Sequence, residues 1–223
     1  MKYLSLFSGV GGFELGINKA YEVRNVNRSK DRGGKEDTER NEGQRLQPQE
    51  RKEVSTTERP VSERITDRAN ERPLCVGYSE IDKYAIKTYQ HHFPNHKAYG
   101  DITKIDAEEL PNFDLLVGGV PCQSWSIAGK RKGFEDERGS MWGESIKILR
   151  AKQPKYFLLE NVKGLLSHDG GRSMEKICEE LCEVGYAIDF EVLNAKNFGV
   201  PQNRERVFIV GIRLDLLDEC QVF

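Results

Sequence analysis

The chain has 223 residues, 31% of them charged and 37% hydrophobic, and its 34 basic and 36 acidic side chains leave a net charge of -2 at neutral pH. That length suits one α/β domain with a substantial core and is too short for two large ones. The near-neutral charge excludes a polycation that grips nucleic acid by bulk attraction, so any such contact must come from local clusters.

Taken in chain order, strand and helix patterns alternate. A short strand is expected over 3–7, and Phe7-Ser-Gly-Val-Gly-Gly12 follows it and opens a helix over 13–20. Residues 24–73 differ from the rest: Arg, Lys, Glu, Asp, Asn and Gln dominate, and aromatic and aliphatic side chains are almost missing. Such a segment buries too little apolar surface to offset its ordering entropy, so it is expected to be a disordered or loosely helical insertion. Beyond it the pattern predicts a strand over 74–79, a helix over 84–92, and strands over 96–100 and 113–119. A helix over 143–151, a strand over 156–159, a helix over 173–184, and strands over 187–193 and 206–212 complete the series.

Strand-helix alternation implies a doubly wound, mostly parallel, Rossmann-like α/β sheet. The last two strands, joined by residues 194–205, are close enough to pair as an antiparallel hairpin at one edge. In such a sheet the strand-to-helix turns share the edge where ligands bind. The charged insertion follows a helix and precedes a strand, so it should hang from the opposite edge. Lengthening a loop from about 5 to about 50 residues costs only about 2 kcal/mol by the logarithmic closure rule.

Five cysteines, Cys75, Cys122, Cys178, Cys182 and Cys220, form no CxxC pair. This argues for a reducing compartment and against a structural zinc site, and no metal is expected. No apolar run approaches the roughly 20 residues of a membrane span, and the first seven residues run into a glycine turn instead of a signal-cleavage region. A cytoplasmic chain is expected.

Three successive strand ends carry a ligand pattern. Glycines at the first let backbone N–H groups approach a ligand beside a helix N-terminus. The spacing departs from the dinucleotide fingerprint, because Glu14 stands where a third glycine would be needed. The second strand ends in Tyr78-Ser-Glu-Ile-Asp82, offering Glu80 for ribose hydroxyls and Ile81 as an apolar surface for a base. The third ends in Tyr99-Gly-Asp-Ile102, offering Asp101 to an exocyclic amine. Two acids would repel a pyrophosphate, so the set fits an adenosyl ligand without phosphates. Each acid by itself is an ordinary turn or cap residue; the ordered set carries the reading.

Two further strand ends carry reactive groups. Pro121-Cys122-Gln123 stands between the apolar run ending at Val120 and the basic stretch Ser124-Trp-Ser-Ile-Ala-Gly-Lys-Arg-Lys-Gly133, and Tyr156-Phe-Leu-Leu-Glu-Asn-Val162 ends a second apolar strand with Glu160 and Asn161. A lone cysteine is ordinarily a small buried hydrophobe, but a thiol and an acid delivered to one sheet edge form a candidate catalytic pair.

With these motifs the sequence resembles the cytosine-C5 DNA methyltransferases on both flanks of the insertion. The matching stretches are Phe7 to Gly12, the Glu80 strand end, Asp101, Pro121-Cys122-Gln123 with its following loop, Glu160-Asn161-Val162, and Asn197-Phe-Gly-Val-Pro-Gln-Asn-Arg-Glu-Arg206. The resemblance implies an S-adenosylmethionine-dependent methyltransferase sheet with Phe7, Gly9, Gly11, Glu80, Ile81 and Asp101 lining the cofactor site. It implies that Cys122 adds to C6 of a flipped cytosine so that C5 can accept a methyl group. Free cysteine has a pKa of about 8.5, so neighbouring positive charge should help activate it.

Glu160 would contact N3 and the exocyclic amine, in a protonated or easily protonated form that burial would favour. Arg204, Arg206 and Gln202 would hold the base and its phosphate flanks, with Gln123 and Asn161 as further substrate contacts. Lys130, Arg131, Lys132 and Arg138 would meet phosphate, which positions without specifying.

The family continues past this point into a variable recognition region and a closing Gly-Asn motif. The chain is therefore expected to be one catalytic domain acting on DNA and weak alone, its remainder missing either through truncation or because a second polypeptide carries the recognition region. A tRNA-modifying branch shares the Pro-Cys and Glu-Asn-Val motifs, and an inactive S-adenosylmethionine- or DNA-binding remnant is the remaining alternative.

Overall fold

A computed structural model describes residues 1–33, 72–121 and 140–217. Its elements run β1 Lys2–Leu6, α1 Gly12–Gly33, β2 Leu74–Ser79, α2 Lys83–His92, β3 Ala98–Gly100, β4 Leu115–Gly119, α3 Ser140–Lys152, β5 Tyr156–Val162, α4 Arg172–Glu183, β6 Tyr186–Asn194 and β7 Glu205–Arg213. The expected strands are all present, with ends displaced by at most three residues. They form one sheet in the order β3-β2-β1-β4-β5-β7-β6. The five strands from β3 to β5 are parallel, and β7 runs antiparallel to both β5 and β6.

Strand alternation sorts the side chains onto two faces. Leu4, Leu6, Leu116, Phe157, Leu159, Val207 and Ile209 pack with Trp142, Ile146 and Leu149 of α3 and with Ile177 and Leu181 of α4. On the other face Tyr3, Cys75 and Val117 pack with Phe13 and Ile17 of α1. Beyond the reach of α1 that second face lies open among the described residues, with Tyr156, Val210 and Ile212 exposed in one cross-strand patch. No helix among the described residues is long and apolar enough to cross a membrane.

The first helix corrects the sequence reading. Instead of ending near residue 20, α1 continues to Gly33, so the first ten residues of the polar insertion are helical; residues 34–71 lie outside the described residues. Packing of Phe13 and Ile17 supplies the nucleus, and extending an existing helix needs no core contacts of its own. At about 33 Å, α1 is roughly twice the length of β1, and β2 starts at the edge opposite the glycine turn, where Leu74 N–H donates to Met1 O at 2.9 Å.

Asp114 ties three strands at that amino edge. Its Oδ2 accepts from Lys2 N–H at 2.9 Å and its Oδ1 pairs with Lys155 Nζ at 3.0 Å, while its own N–H donates to Lys2 O and its carbonyl accepts from Tyr156 N–H. Partial burial opposes ionisation of this carboxyl, but the Lys2 N–H and the Lys155 ammonium outweigh it and hold Asp114 below the usual carboxylate range. Its stabilisation should be complete above the unfolded value of about 3.9 and lost as pH falls through the lower folded value. In thermal melts below about pH 4, Asp114→Asn should flatten the acid limb of the stability curve; a limb identical to that of the wild type would refute the tie.

Gly211 faces Phe157 in the β5–β7 register, and a β-carbon there would lie within the Phe157 ring. Phe157 is fully buried and meets Tyr186 edge-on at 5.2 Å. Gly211→Ala should therefore destabilise the domain by about 1–3 kcal/mol through overpacking, read as a lower urea midpoint.

Candidate functional site

The glycine turn leaves β1 and is held by the end of β2. Ser8 N–H donates to Ser79 O at 3.2 Å, and Gly9 N–H donates to Glu80 Oε2 at 2.8 Å. Glu80 Oε1 accepts from Ile81 N–H at 2.8 Å and Asp82 N–H at 2.9 Å. An ionised carboxylate offers about four lone-pair sites, so three backbone donors orient Glu80 and leave room for a further donor. Phe7 has φ 51° and Gly9 and Gly11 have φ 54° and 96°. A non-glycine residue in this region stores about 1–3 kcal/mol of strain, which clusters at functional sites. The space beside Gly9 and Gly12 is open, and Ile81 beside it is 74% exposed.

Asp101 follows β3 and caps the short turn after it, with Oδ1 accepting from the Thr103 N–H at 3.0 Å and the Thr103 hydroxyl at 2.8 Å. The Thr103 hydroxyl, then its N–H, hold Asp101 below the usual carboxylate range. Its Oδ2 has no hydrogen-bond partner among the described residues. The acid is thus both a cap and an available acceptor.

These residues fit an adenosyl cofactor: an open glycine cradle, an oriented carboxylate for hydroxyls, an exposed apolar side chain for a ring, and an ionised acid for an amine. The buried Ser8 Oγ, which has no partner among the described residues, adds a polar atom beside the cradle.

The winding reverses between β1 and β4, so their carboxyl ends flank the crevice where open α/β sheets bind ligands. Gly119 of β4 pairs with Glu160 of β5. A β-carbon at Gly119 would fall 3.3 Å from Glu160 Oε2 and 4.0 Å from Phe7 O. Glycine at this position is what lets the acid lie against the end of β4, next to the start of the glycine turn. Sequence reading passed over Gly119, although a Gly-Gly pair closing a strand before Pro121 is a visible signal of close approach.

Glu160 is half-buried among the described residues: its side chain is 22% exposed, and its Oε1 lies 2.7 Å from Arg206 Nε. Arg206 reaches it diagonally, because Val162 pairs with Arg206 and Glu160 with Phe208 across the antiparallel β5–β7 ladder. Glu160, Arg204, Arg206, Leu193, Ala195, Phe198 and Phe208 line a cavity of about 330 Å³. Phe198 is 66% exposed at its rim. Arg204 N–H donates to Asn194 Oδ1 at 3.2 Å, and Asn194 Nδ2 donates to Asn203 Oδ1 at 2.7 Å. Phe208 and Leu193 were not singled out from sequence, because only the register of β6, β7 and β5 puts them on the face of Glu160, and Phe198 was not because it reaches the cavity from the turn after β6.

Asn161 faces away from this cavity. It is 1% exposed, shares the core face with Phe157 and Leu159, accepts from Val162 N–H through Oδ1 at 2.8 Å, and keeps a buried Nδ2 without a partner among the described residues. Gln202 is exposed on the approach to β7, its N–H donating to Val200 O at 2.7 Å. Cys122, Gln123 and the basic residues Lys130, Arg131, Lys132 and Arg138 lie outside the described residues, which reach Pro121 at the end of β4.

Comparison with known proteins matches residues 67–221 to the family model of the C-5 cytosine-specific DNA methylases. The orphan methyltransferase M.Rho11sI of Bacillus phage rho11s is 57% identical over 145 residues, 64% of this chain and 29% of that protein. The type II methyltransferase M1.ScrFI of Lactococcus lactis subsp. cremoris is 50% identical over 141 residues, 63% of this chain and 36% of that protein. The chain thus spans about a third of the length of these curated relatives. In fold it resembles the Schizosaccharomyces pombe Dnmt2 methyltransferase, with a TM-score of 0.58 at 20% identity over 98% of this chain and 52% of that one. A sheet wound about a glycine turn, with an acid and an arginine at its carboxyl edge and a family match over most of its length, belongs to the C-5 cytosine-specific DNA methylase family.

Proposed function

We propose that the chain is the catalytic region of a DNA cytosine-C5 methyltransferase of the restriction-modification or phage kind. The observation that carries the proposal is the order of groups along one sheet edge. Asp101, Glu80 with Ile81, the glycine turn, Pro121, Glu160 and Arg206 follow one another across β3, β2, β1, β4, β5 and β7. Neighbouring strands lie about 4.8 Å apart, so the cofactor cradle at β1 and the acid at β5 are about 10 Å apart, a span that one nucleobase and one methyl donor can fill.

Phe7, Gly9, Gly11, Glu80, Ile81 and Asp101 would hold S-adenosylmethionine, which when bound supplies an electrophilic methyl group. Glu80 would take a ribose hydroxyl on its remaining lone pair, and Asp101 an exocyclic amine on Oδ2. A cytosine turned out of its duplex would enter the cavity beside Glu160. Arg206 engages Oε1 of Glu160, leaving Oε2 to face the N3 and amine edge of the base and to share a proton there. Cys122, three residues beyond Gly119, would add its thiolate to C6 and make C5 enamine-like, so that C5 would bond to the transferred methyl group; loss of the C5 proton and departure of the sulfur would then restore the ring. Arg204 and Gln202 would contact the flanking phosphates. The buried orientation of Asn161 supports a role in holding the end of β5 in place of its expected direct contact with substrate.

The open sheet face at Tyr156, Val210 and Ile212 supports a further polypeptide segment that completes the enzyme and supplies the recognition region. DNA is the proposed substrate and that segment the proposed partner.

Two measurements test this reading. With S-adenosylmethionine present, duplex DNA containing 5-fluorocytosine should form a covalent adduct with the chain, alone or supplemented with cell extract. The adduct should be absent in Cys122→Ala and reduced about 10²-fold or more in Glu160→Ala. Adduct with tRNA alone would move the substrate to RNA, and no adduct under any condition would overturn the enzymatic reading. In calorimetric titration, Glu80→Ala should weaken S-adenosylmethionine binding about tenfold or more, the scale of one lost charge-assisted hydrogen bond with its oriented turn.

A further inference from the structure

We propose that Glu14, Tyr89 and His96 form a positioning unit that sets the glycine turn in the conformation that receives the cofactor. The inference rests on the cofactor reading above, and it gives a role to the residue that replaces the third glycine of a dinucleotide fingerprint. Glu14 lies in the first turn of α1 and is fully buried. Its Oε1 accepts from the Tyr89 hydroxyl at 2.9 Å, and its Oε2 is buried with no partner among the described residues. An acid so placed is poor packing material, because a buried polar atom left unpaired costs free energy that an apolar side chain would avoid. The groups around it, Tyr3 of β1 and Cys75 of β2, bring no cation. Burial pushes the Cys75 thiol up to about 11.

The hydroxyl of Tyr89 has one hydrogen. That hydrogen goes to Glu14, so His96, whose Nδ1 is 3.0 Å from the same oxygen, must donate its own. One buried hydroxyl therefore joins the first turn of α1 to the segment after α2. The second arm of the unit reaches the turn by stacking. The His96 ring lies on Phe93 with centroids 5.0 Å apart and planes at 13°. Phe93 lies against Gly11, where a β-carbon would fall 2.6 Å from Phe93 Cε2. The glycine turn is consequently held at two places: Glu14 fixes the helix into which it leads, and the Phe93 ring supports Gly11 from beneath. None of the three residues has a place in the proposed chemistry, so loosening them should change how well the turn receives the cofactor and leave the reacting groups alone.

Tyr89→Phe keeps the ring and its stack on Tyr78, 4.0 Å away at 26°, and removes only the hydroxyl. Glu14→Leu removes the acceptor, whereas Glu14→Gln keeps an oxygen for Tyr89. Hydrogen exchange of the 223-residue chain should show the amides of residues 9–15 exchanging about tenfold faster in Tyr89→Phe and Glu14→Leu, with β5 and β7 unchanged and Glu14→Gln close to wild type. S-adenosylmethionine titrated into the same proteins should bind about tenfold more weakly to the first two variants and normally to Glu14→Gln. Unchanged exchange in the turn, or acceleration spread evenly over the sheet, would overturn the positioning unit. A wild-type chain that binds no S-adenosylmethionine would overturn the cofactor reading instead, and the exchange measurement would still decide the role of Glu14, Tyr89 and His96.

Discussion

The whole carboxyl edge depends on β1 being paired on both sides. Its backbone is matched to β2 through Leu6 and Ser79 and to β4 through Leu6 and Gly118, so the chain must wind outward in one direction to β3 and then return across β1 to build β4 and β5. That reversal opens a crevice at the point where neighbouring connections diverge. It also places the glycine turn between two acids on one side and the end of β4 at Gly119 on the other. Satisfying buried backbone groups is the stronger demand, and the site is what the sheet leaves at its edge.

Close approach decides how near the two halves of the site come. Gly119 allows Glu160 to lie against the end of β4, and the antiparallel β7 brings Arg206 within 2.7 Å of that acid. A parallel strand in the same position would have required a crossover of a dozen or more residues and would have placed its first residues at the opposite edge. The reversal of direction at β7 is therefore the reason an arginine from the start of a strand can meet an acid from the end of another.

The turn at the cofactor side carries a different economy. Glu80 uses three backbone N–H groups to hold itself and the turn together, and Glu14 uses a single tyrosine hydroxyl beneath it. The first arrangement is half-buried at the surface of the turn and the second is fully buried. Phe7, in a left-handed conformation, starts the turn that Glu80 holds at Gly9.

Much of this was legible in the sequence. Alternating apolar runs defined the strands within three residues, because period-2 burial is a local property, and the glycine turn, Glu80, Asp101, Cys122 and Glu160 stood out because strand ends in such a sheet share one edge. The full extent of α1 was not legible, since a polar composition does not reveal that a helix already nucleated by Phe13 and Ile17 will continue. Nor was the opposite facing of Glu160 and Asn161 turned to account, although adjacent strand residues must diverge. Sequence by itself determined which chemical groups arrive at the edge, because hydrophobic period and turn chemistry are written locally. Only the tertiary structure decided which of them meet: the Glu160–Arg206 pair, the cavity walls at Phe198 and Phe208, and the Glu14–Tyr89–His96 unit join residues brought together by register and packing, which no local pattern encodes.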